Sequence, residues 1–115
     1  MKKSDFVRIA GMALVLWSAA AGAADATGDA ASGRAKSAMC AGCHSIPGYR
    51  TAFPAVYSVP KLDGQHASYI VNALRAYKTG DRKHPSMRAI AVGLSDQDMA
   101  DLGAFFSGQT QQASR

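Results

Sequence analysis

Cys40-Ala41-Gly42-Cys43-His44 is the stretch on which the reading of this chain turns. Two thiols stand three residues apart, and an imidazole follows the second, giving the pattern C-x-x-C-H. Four chemistries use a cysteine pair of this kind. A dithiol redox centre expects a βαβ frame around it, and no such frame can be traced along the chain. A structural zinc site needs four ligands, whereas His44, His66 and His84 lie scattered. A disulfide across so short a loop would constrain little and would leave His44 without a purpose. The fourth chemistry uses all three residues: thioether bonds from Cys40 and Cys43 to the two vinyl groups on one edge of a porphyrin, with His44 directed at its iron. The small Ala41 and Gly42 allow the backbone to lie against the ring edge.

The sequence on either side favours that fourth reading. At 115 residues the chain has room for one compact domain. Its start is positive at Lys2, Lys3 and Arg8, then apolar from Ile9 to Ala21, then rich in small residues. Ala21-Gly22-Ala23 and Ala24-Asp25-Ala26 both fit an A-x-A cleavage site, so residues 1–23 read as a secretory signal peptide cleaved after Ala23 or Ala26. A membrane-spanning helix needs about 20 strongly apolar residues, and this run falls short of that. The expected domain is 24–115, exported to a bacterial periplasm. Losing Lys2, Lys3, Arg8 and Asp5 leaves 10 basic and 7 acidic residues, so the net charge falls from +5 to +3. The remaining Lys and Arg are dispersed, which excludes the concentrated basic stripe of a nucleic-acid binder. A mature chain of this size has a thin apolar core and commonly needs help. Two cysteines supply no disulfide framework of the kind exported proteins use.

Three helical segments and two long irregular stretches can be read after the leader, and no stretch alternates well enough to be a strand. The first helix covers residues 30–39, with Thr27 or Asp29 as its cap. The second covers 65–78, where Ile70, Ala73, Leu74 and Tyr77 share one face, and Gly80 stops it. The third begins at Ser95 with Asp98 three residues on, a capping-box pattern, and carries Met99, Leu102, Gly103 and Phe106 on one face. Gly103 inside a helix costs about 1 kcal/mol against Ala. Either Gly33 meets the Gly103 region where the first and third helices cross closely, or the cost is simply tolerated. Residues 45–64 hold Pro47, Pro54 and Pro60 together with Ile46, Tyr49, Phe53, Val56, Tyr57, Val59 and Leu62. Residues 79–94 hold Pro85, Met87, Ile90 and Val92. Two apolar loops of this length in a small domain point to a functional role, and wrapping a flat apolar group such as haem would supply one.

The residue on the other face of the iron comes from Met39, Met87, Met99, His66 or His84. Met39 abuts the attachment motif and cannot reach across. Met99 falls on a core stripe, where a methionine ordinarily packs. His66 opens the second helix and reads as solvent-facing. Met87 follows Pro85 in the middle of a loop, where a pinned backbone can aim it inward. His84 is three residues away and reads more readily as a turn residue.

These residues together resemble the class I cytochromes c, in particular one half of the two-domain cytochromes c4 and the single-domain c553-type carriers. The likeness runs from Gly28-Asp29-Ala30 and Gly33 through Cys40 to His44. It continues in Pro60-Lys61-Leu62-Asp63-Gly64-Gln65, Tyr77-Lys78-Thr79-Gly80-Asp81-Arg82, Pro85-Ser86-Met87 and Leu94-Ser95-Asp96-Gln97-Asp98-Met99. It implies an all-α cytochrome c fold with three main helices and long loops around one covalent haem c. It also implies His44 and Met87 as axial ligands, with the Pro60 carbonyl accepting the other ring N–H of His44. One C-x-x-C-H stands in this sequence, and Ser45 and Ile46 depart from the Gly that many relatives carry after the histidine.

The function implied is one-electron transfer without catalysis of a substrate reaction. The expected partners are a periplasmic dehydrogenase or membrane cytochrome complex on one side and a terminal oxidase or reductase on the other. Lys36, Lys61, Lys78, Arg82, Lys83 and Arg88 could steer docking, or could form an ordinary solvated surface. The alternatives are a haem subunit permanently docked to a dehydrogenase, and an enzyme or gas sensor with an open iron if Met87 does not bind.

Overall fold

The computed structural model describes residues 26–53 and 55–109. The leader expected over residues 1–23, and Pro54, lie outside them. The element order is α1 (Ala30–Lys36), α2 (Ala38–His44), β1 (Arg50–Thr51), β2 (Tyr57–Ser58), α3 (Ala67–Thr79), α4 (Pro85–Ala91) and α5 (Asp96–Gly108). No helix among the described residues is long and apolar enough to cross a membrane.

The first helix is longer and more jointed than the expected 30–39. Asp29 caps α1, its Oδ1 accepting from the N–H groups of Ala31 and Ser32 at 2.7 and 3.2 Å. At the joint, the Ser37 hydroxyl donates to the Arg34 carbonyl at 2.8 Å, and Ser37 itself keeps helical angles. The chain therefore resumes at once as α2, which carries the whole C-x-x-C-H pattern. Gly42 and the two cysteines are weak helix formers, which is why propensity alone ended the segment early.

Residues 79–94 are not an irregular loop throughout, because α4 occupies 85–91 within them. Pro85 stands at the first helical position, where its missing N–H costs nothing and its fixed φ suits the helix. The imidazole of His84 acts as cap, its Nδ1 accepting from the Met87 N–H at 3.4 Å. The expectation of no strand also needs correction: β1 and β2 pair antiparallel, Arg50 with Ser58 and Thr51 with Tyr57. Two residues each are too few for alternation to show in sequence.

The second and third helices stand close to where they were expected. Gly80 ends α3 at φ +92°, a left-handed angle that glycine adopts without steric cost. Ser95 and Asp98 form the capping box of α5: the Asp98 N–H donates to Ser95 Oγ at 3.0 Å and the Ser95 N–H to Asp98 Oδ2 at 2.8 Å. The buried core lies between α3 and α5 and consists of Ile70, Leu74, Met99, Leu102 and Phe106. Cys40, Leu62, Val71, Met87, Leu94 and Phe105 pack around it.

Close approach of α1 to α5 depends on Gly33. A Cβ there would collide with the Asp101 carbonyl and with the Cβ of Phe105. Gly103 serves a different contact from the one expected, because it faces α3. A Cβ there would stand 2.9 Å from the Ala67 carbonyl oxygen and 3.1 Å from Val71 Cγ2. A polar clasp locks the α1–α5 crossing. Asp101, buried on α5, accepts from the Asp29 N–H at 2.9 Å, from Lys36 Nζ at 2.7 Å and from Gln97 Nε2 at 2.8 Å.

Candidate haem site

Helix α2 places Cys40 and Cys43 one turn apart, so both thiols share a face of the helix. Neither is in a disulfide; Cys40 is half-buried against the core and Cys43 is exposed. Burial pushes the Cys40 thiol above its usual range, and the neighbouring Cys43 adds to the shift. A dithiol redox centre depends on a thiol shifted the other way. Among the described residues no three His, Cys, Asp or Glu side chains come together to hold a metal ion, so the zinc reading lacks its ligands.

His44 closes α2, and its ring orientation is set from outside the helix. Nδ1 lies 2.6 Å from the carbonyl oxygen of Pro60. A carbonyl can only accept, so Nδ1 carries the proton and Nε2 is left as the lone-pair donor. The Pro60 contact implied by the family resemblance is thus present in the fold. A cleft beside His44 is lined by Ile46, Pro47, Gly48, Val59 and Lys61.

Met87 stands in the first turn of α4, half-buried and packed against the core cluster. The other candidates for the second ligand stand differently. Met99 is fully buried in the core, as its helical stripe predicts. Met39 is 62% exposed on the motif's own helix. His66 is exposed at the start of α3. His84 uses Nδ1 to cap α4 and packs its ring against Tyr57 and Tyr77.

The loop between α2 and α3 leaves Ile46, Phe53, Val56 and Tyr57 exposed, Phe53 to 87%. Tyr69 and Val92 add to the exposed apolar surface. So much apolar surface without a protein partner fits a chain that wraps a large flat apolar group. Two thiols one turn apart suit covalent attachment of a haem, and an imidazole with Nε2 presented and a half-buried thioether are groups able to ligate its iron.

The basic residues considered for docking divide. Lys36 is drawn into ion pairs with Asp98 and Asp101, both at 2.7 Å. Lys78 donates to the Leu94 carbonyl, and the Arg82 guanidinium lies 4.7 Å over the Tyr77 ring. These three have structural work inside the fold. Sequence reasoning missed Asp101 and the capping role of His84. For His84 the His-Pro order was an available signal, since a proline at the first helical position implies a cap before it.

Comparison with known proteins agrees with this geometry. The profile of the family described as Cytochrome c matches residues 30–109. Cytochrome c4 of Pseudomonas aeruginosa is 39% identical over 98 residues, covering 85% of this chain and 47% of that protein. Cytochrome c-554(548) of Halomonas halodenitrificans is 41% identical over 85 residues, covering 71% of this chain and 98% of that one. The crystal structure of reduced recombinant cytochrome c4 from Pseudomonas stutzeri has a similar fold, with a TM-score of 0.60 at 35% identity, covering 73% of this chain and 47% of that one. The chain spans about half the length of the cytochromes c4 it matches. Matched by the family profile over most of its length and built on the same fold around a C-x-x-C-H helix, this chain belongs to the cytochrome c family, whose cofactor is covalently bound haem c.

Proposed function

We propose that this chain is a mono-haem electron carrier of the bacterial periplasm, exported by a leader over residues 1–23 and folded over 24–115 as one domain. Cys40 and Cys43 would bond the haem through thioethers, His44 and Met87 would ligate its iron, and Pro60 would orient His44. The observation that carries the reading is the 2.6 Å contact from His44 Nδ1 to the Pro60 carbonyl, on the helix that bears both thiols. It holds the imidazole in the tautomer that presents Nε2 to a metal.

When bound, haem supplies a one-electron ferric–ferrous couple, whose potential a thioether ligand raises relative to harder donors. With His44 and Met87 both holding the iron, no coordination site would be left for a substrate. Folded against a bound haem, apolar side chains of the loop between α2 and α3 and of α4 would exclude water from it. Met87 is held by α4 and His44 by Pro60, so each donor is fixed by its own segment and needs little rearrangement between redox states. The partners are redox proteins: a periplasmic dehydrogenase or membrane cytochrome complex as donor, and a terminal oxidase or reductase as acceptor.

Spectra of the protein produced with a haem c maturation system test this. We expect a low-spin ferric spectrum with the weak charge-transfer band of methionine-bound haem, and loss of that band in Met87→Ala. A high-spin ferric spectrum, or rapid carbon monoxide binding by the reduced protein, would overturn Met87 as ligand.

A further inference from the structure

The His84 ring lies where three segments of the chain meet. Its Nδ1 accepts the Met87 N–H at 3.4 Å, closing the first turn of α4. One neighbour is Tyr57 of β2, with ring centroids 4.4 Å apart and a tilt of 52°. The other is Tyr77 in the last turn of α3, edge-on at 6.4 Å. Tyr77 in turn carries the Arg82 guanidinium 4.7 Å over its ring. Aromatic pairs at these separations and angles attract beyond their area of contact.

An imidazole is an unusual helix cap, because serine, threonine, aspartate and asparagine serve that purpose with less bulk. A small cap would satisfy the Met87 N–H equally well. It could not also reach a ring on β2 and a ring on α3. Elsewhere in this chain the caps at Asp29 and Ser95 are of the ordinary small kind. The ring at position 84 therefore links the start of α4 to β2 and to the end of α3. Met87 stands three residues after it and is itself the residue whose N–H the ring accepts.

We propose that His84 is a positioning residue for Met87, a cap and aromatic wedge that fixes the thioether in place through α4, Tyr57 and Tyr77. The inference rests on the reading of Met87 as an axial ligand, and concerns what keeps that ligand in place. Removing the ring leaves the donor present but lets α4 shift or fray at its start. An added ligand that competes with Met87 for the iron then gains.

The test uses the haem-loaded protein and imidazole as competing ligand, followed by loss of the charge-transfer band. In His84→Ala, the affinity of the ferric protein for imidazole rises by about tenfold, the combined effect of a lost cap and a lost aromatic contact. His84→Asn restores the acceptor without the ring and gives a rise of about threefold. Tyr57→Leu keeps the cap and also gives about threefold, and serves as the second probe if His84→Ala does not fold. A helix that is merely less stable lowers the melting temperature without the graded order Ala above Asn above wild type, so that order is the decisive readout. Wild-type imidazole affinity in both His84→Asn and Tyr57→Leu would overturn the positioning role. If Met87→Ala keeps the band, the ligand assignment itself fails and takes this inference with it; if Met87→Ala loses the band while the His84 and Tyr57 variants bind imidazole as wild type does, only the positioning role fails.

Discussion

Asp101 shows how one side chain can hold two helices together. It is buried on α5, yet its carboxylate accepts from the Asp29 N–H, from Lys36 and from Gln97. Three donors meet its two oxygens, two on Oδ1 and one on Oδ2, so neither oxygen is left without a partner. These donors, the Asp29 N–H foremost, then Lys36 and Gln97, hold the carboxyl down at about 2. Asp98 is depressed further, by Lys36 first and then by Ser95. The sign follows from linkage: a carboxylate whose folded pKa lies below the unfolded value near 3.9 contributes stability above that value. That contribution is lost as pH falls through the folded pKa. Thermal unfolding of the haem-loaded protein should therefore give a melting temperature that is level above about pH 5 and falls between pH 4 and pH 2. Asp101→Asn places an amide where acceptors are needed, lowers the melting temperature by several degrees at pH 7 and makes the acid slope shallower. A slope unchanged in the variant would show that the acid response arises elsewhere. No feature of the sequence marks Asp101 for this role: Asp29 and Asp98 announce themselves by their capping spacing, whereas a carboxylate that bonds across 72 residues is visible only once the chain is folded.

At the scale of elements, two glycines decide how closely the helices pack, and they do so unequally. A methyl at Gly33 would be driven into backbone and into Phe105, neither of which can yield without moving α1 from α5. At Gly103 the approach is less tight: a Cβ would stand 2.9 Å from the Ala67 carbonyl oxygen and 3.1 Å from a Val71 methyl. Gly33→Ala is expected to destabilise by about 3 kcal/mol, the upper end of overpacking. Gly103→Ala should cost about 1 kcal/mol, since the better helix propensity of alanine offsets part of the clash. Denaturant titration of the two variants checks this order, and equal costs would show that the α3–α5 contact is no looser than the α1–α5 contact. Sequence periodicity located α3 and α5 well because each carries an apolar face of i, i+3, i+4 spacing and a strong stop or start, Gly80 and Ser95. It placed Gly33 at the right crossing and Gly103 at the wrong one, since spacing along a helix does not say which neighbour a face will meet. Helix α4 was hidden because seven residues with a proline at the front resemble a loop. The C-x-x-C-H pattern and Met87 stand out in the sequence as candidates; the tie between His84 and Tyr57 joins residues of two separate segments, which no local pattern connects.

For the molecule as a whole, the distribution of apolar residues is the decisive fact. The buried core among the described residues is small: Ile70, Leu74, Met99, Leu102 and Phe106 meet between α3 and α5, and Ala91 of α4 and Ala100 of α5 are also buried. Several apolar side chains of the chain's middle, among them Ile46, Phe53, Val56 and Tyr57, are exposed between α2 and α3. A domain of this size with so small a core holds its loops by few protein contacts, chiefly the short β1–β2 pair and the ring of His84 against Tyr57. Covalent haem joined to α2 would supply the missing apolar surface and tie α2, the loop after it and α4 to one object. We therefore expect the double variant Cys40→Ala/Cys43→Ala, produced without haem, to lose the single cooperative thermal transition of the loaded protein. Its far-ultraviolet dichroism should show reduced helix, and it should bind a fluorescent apolar dye, as expanded states with exposed apolar surface do. The residual helix should come from α3 and α5, whose contact needs no cofactor. A cooperative transition in the haem-free variant within a few degrees of the loaded protein would show the opposite. The loops would then be held by contacts of their own, and their exposed apolar residues would have to be explained as a surface for another protein.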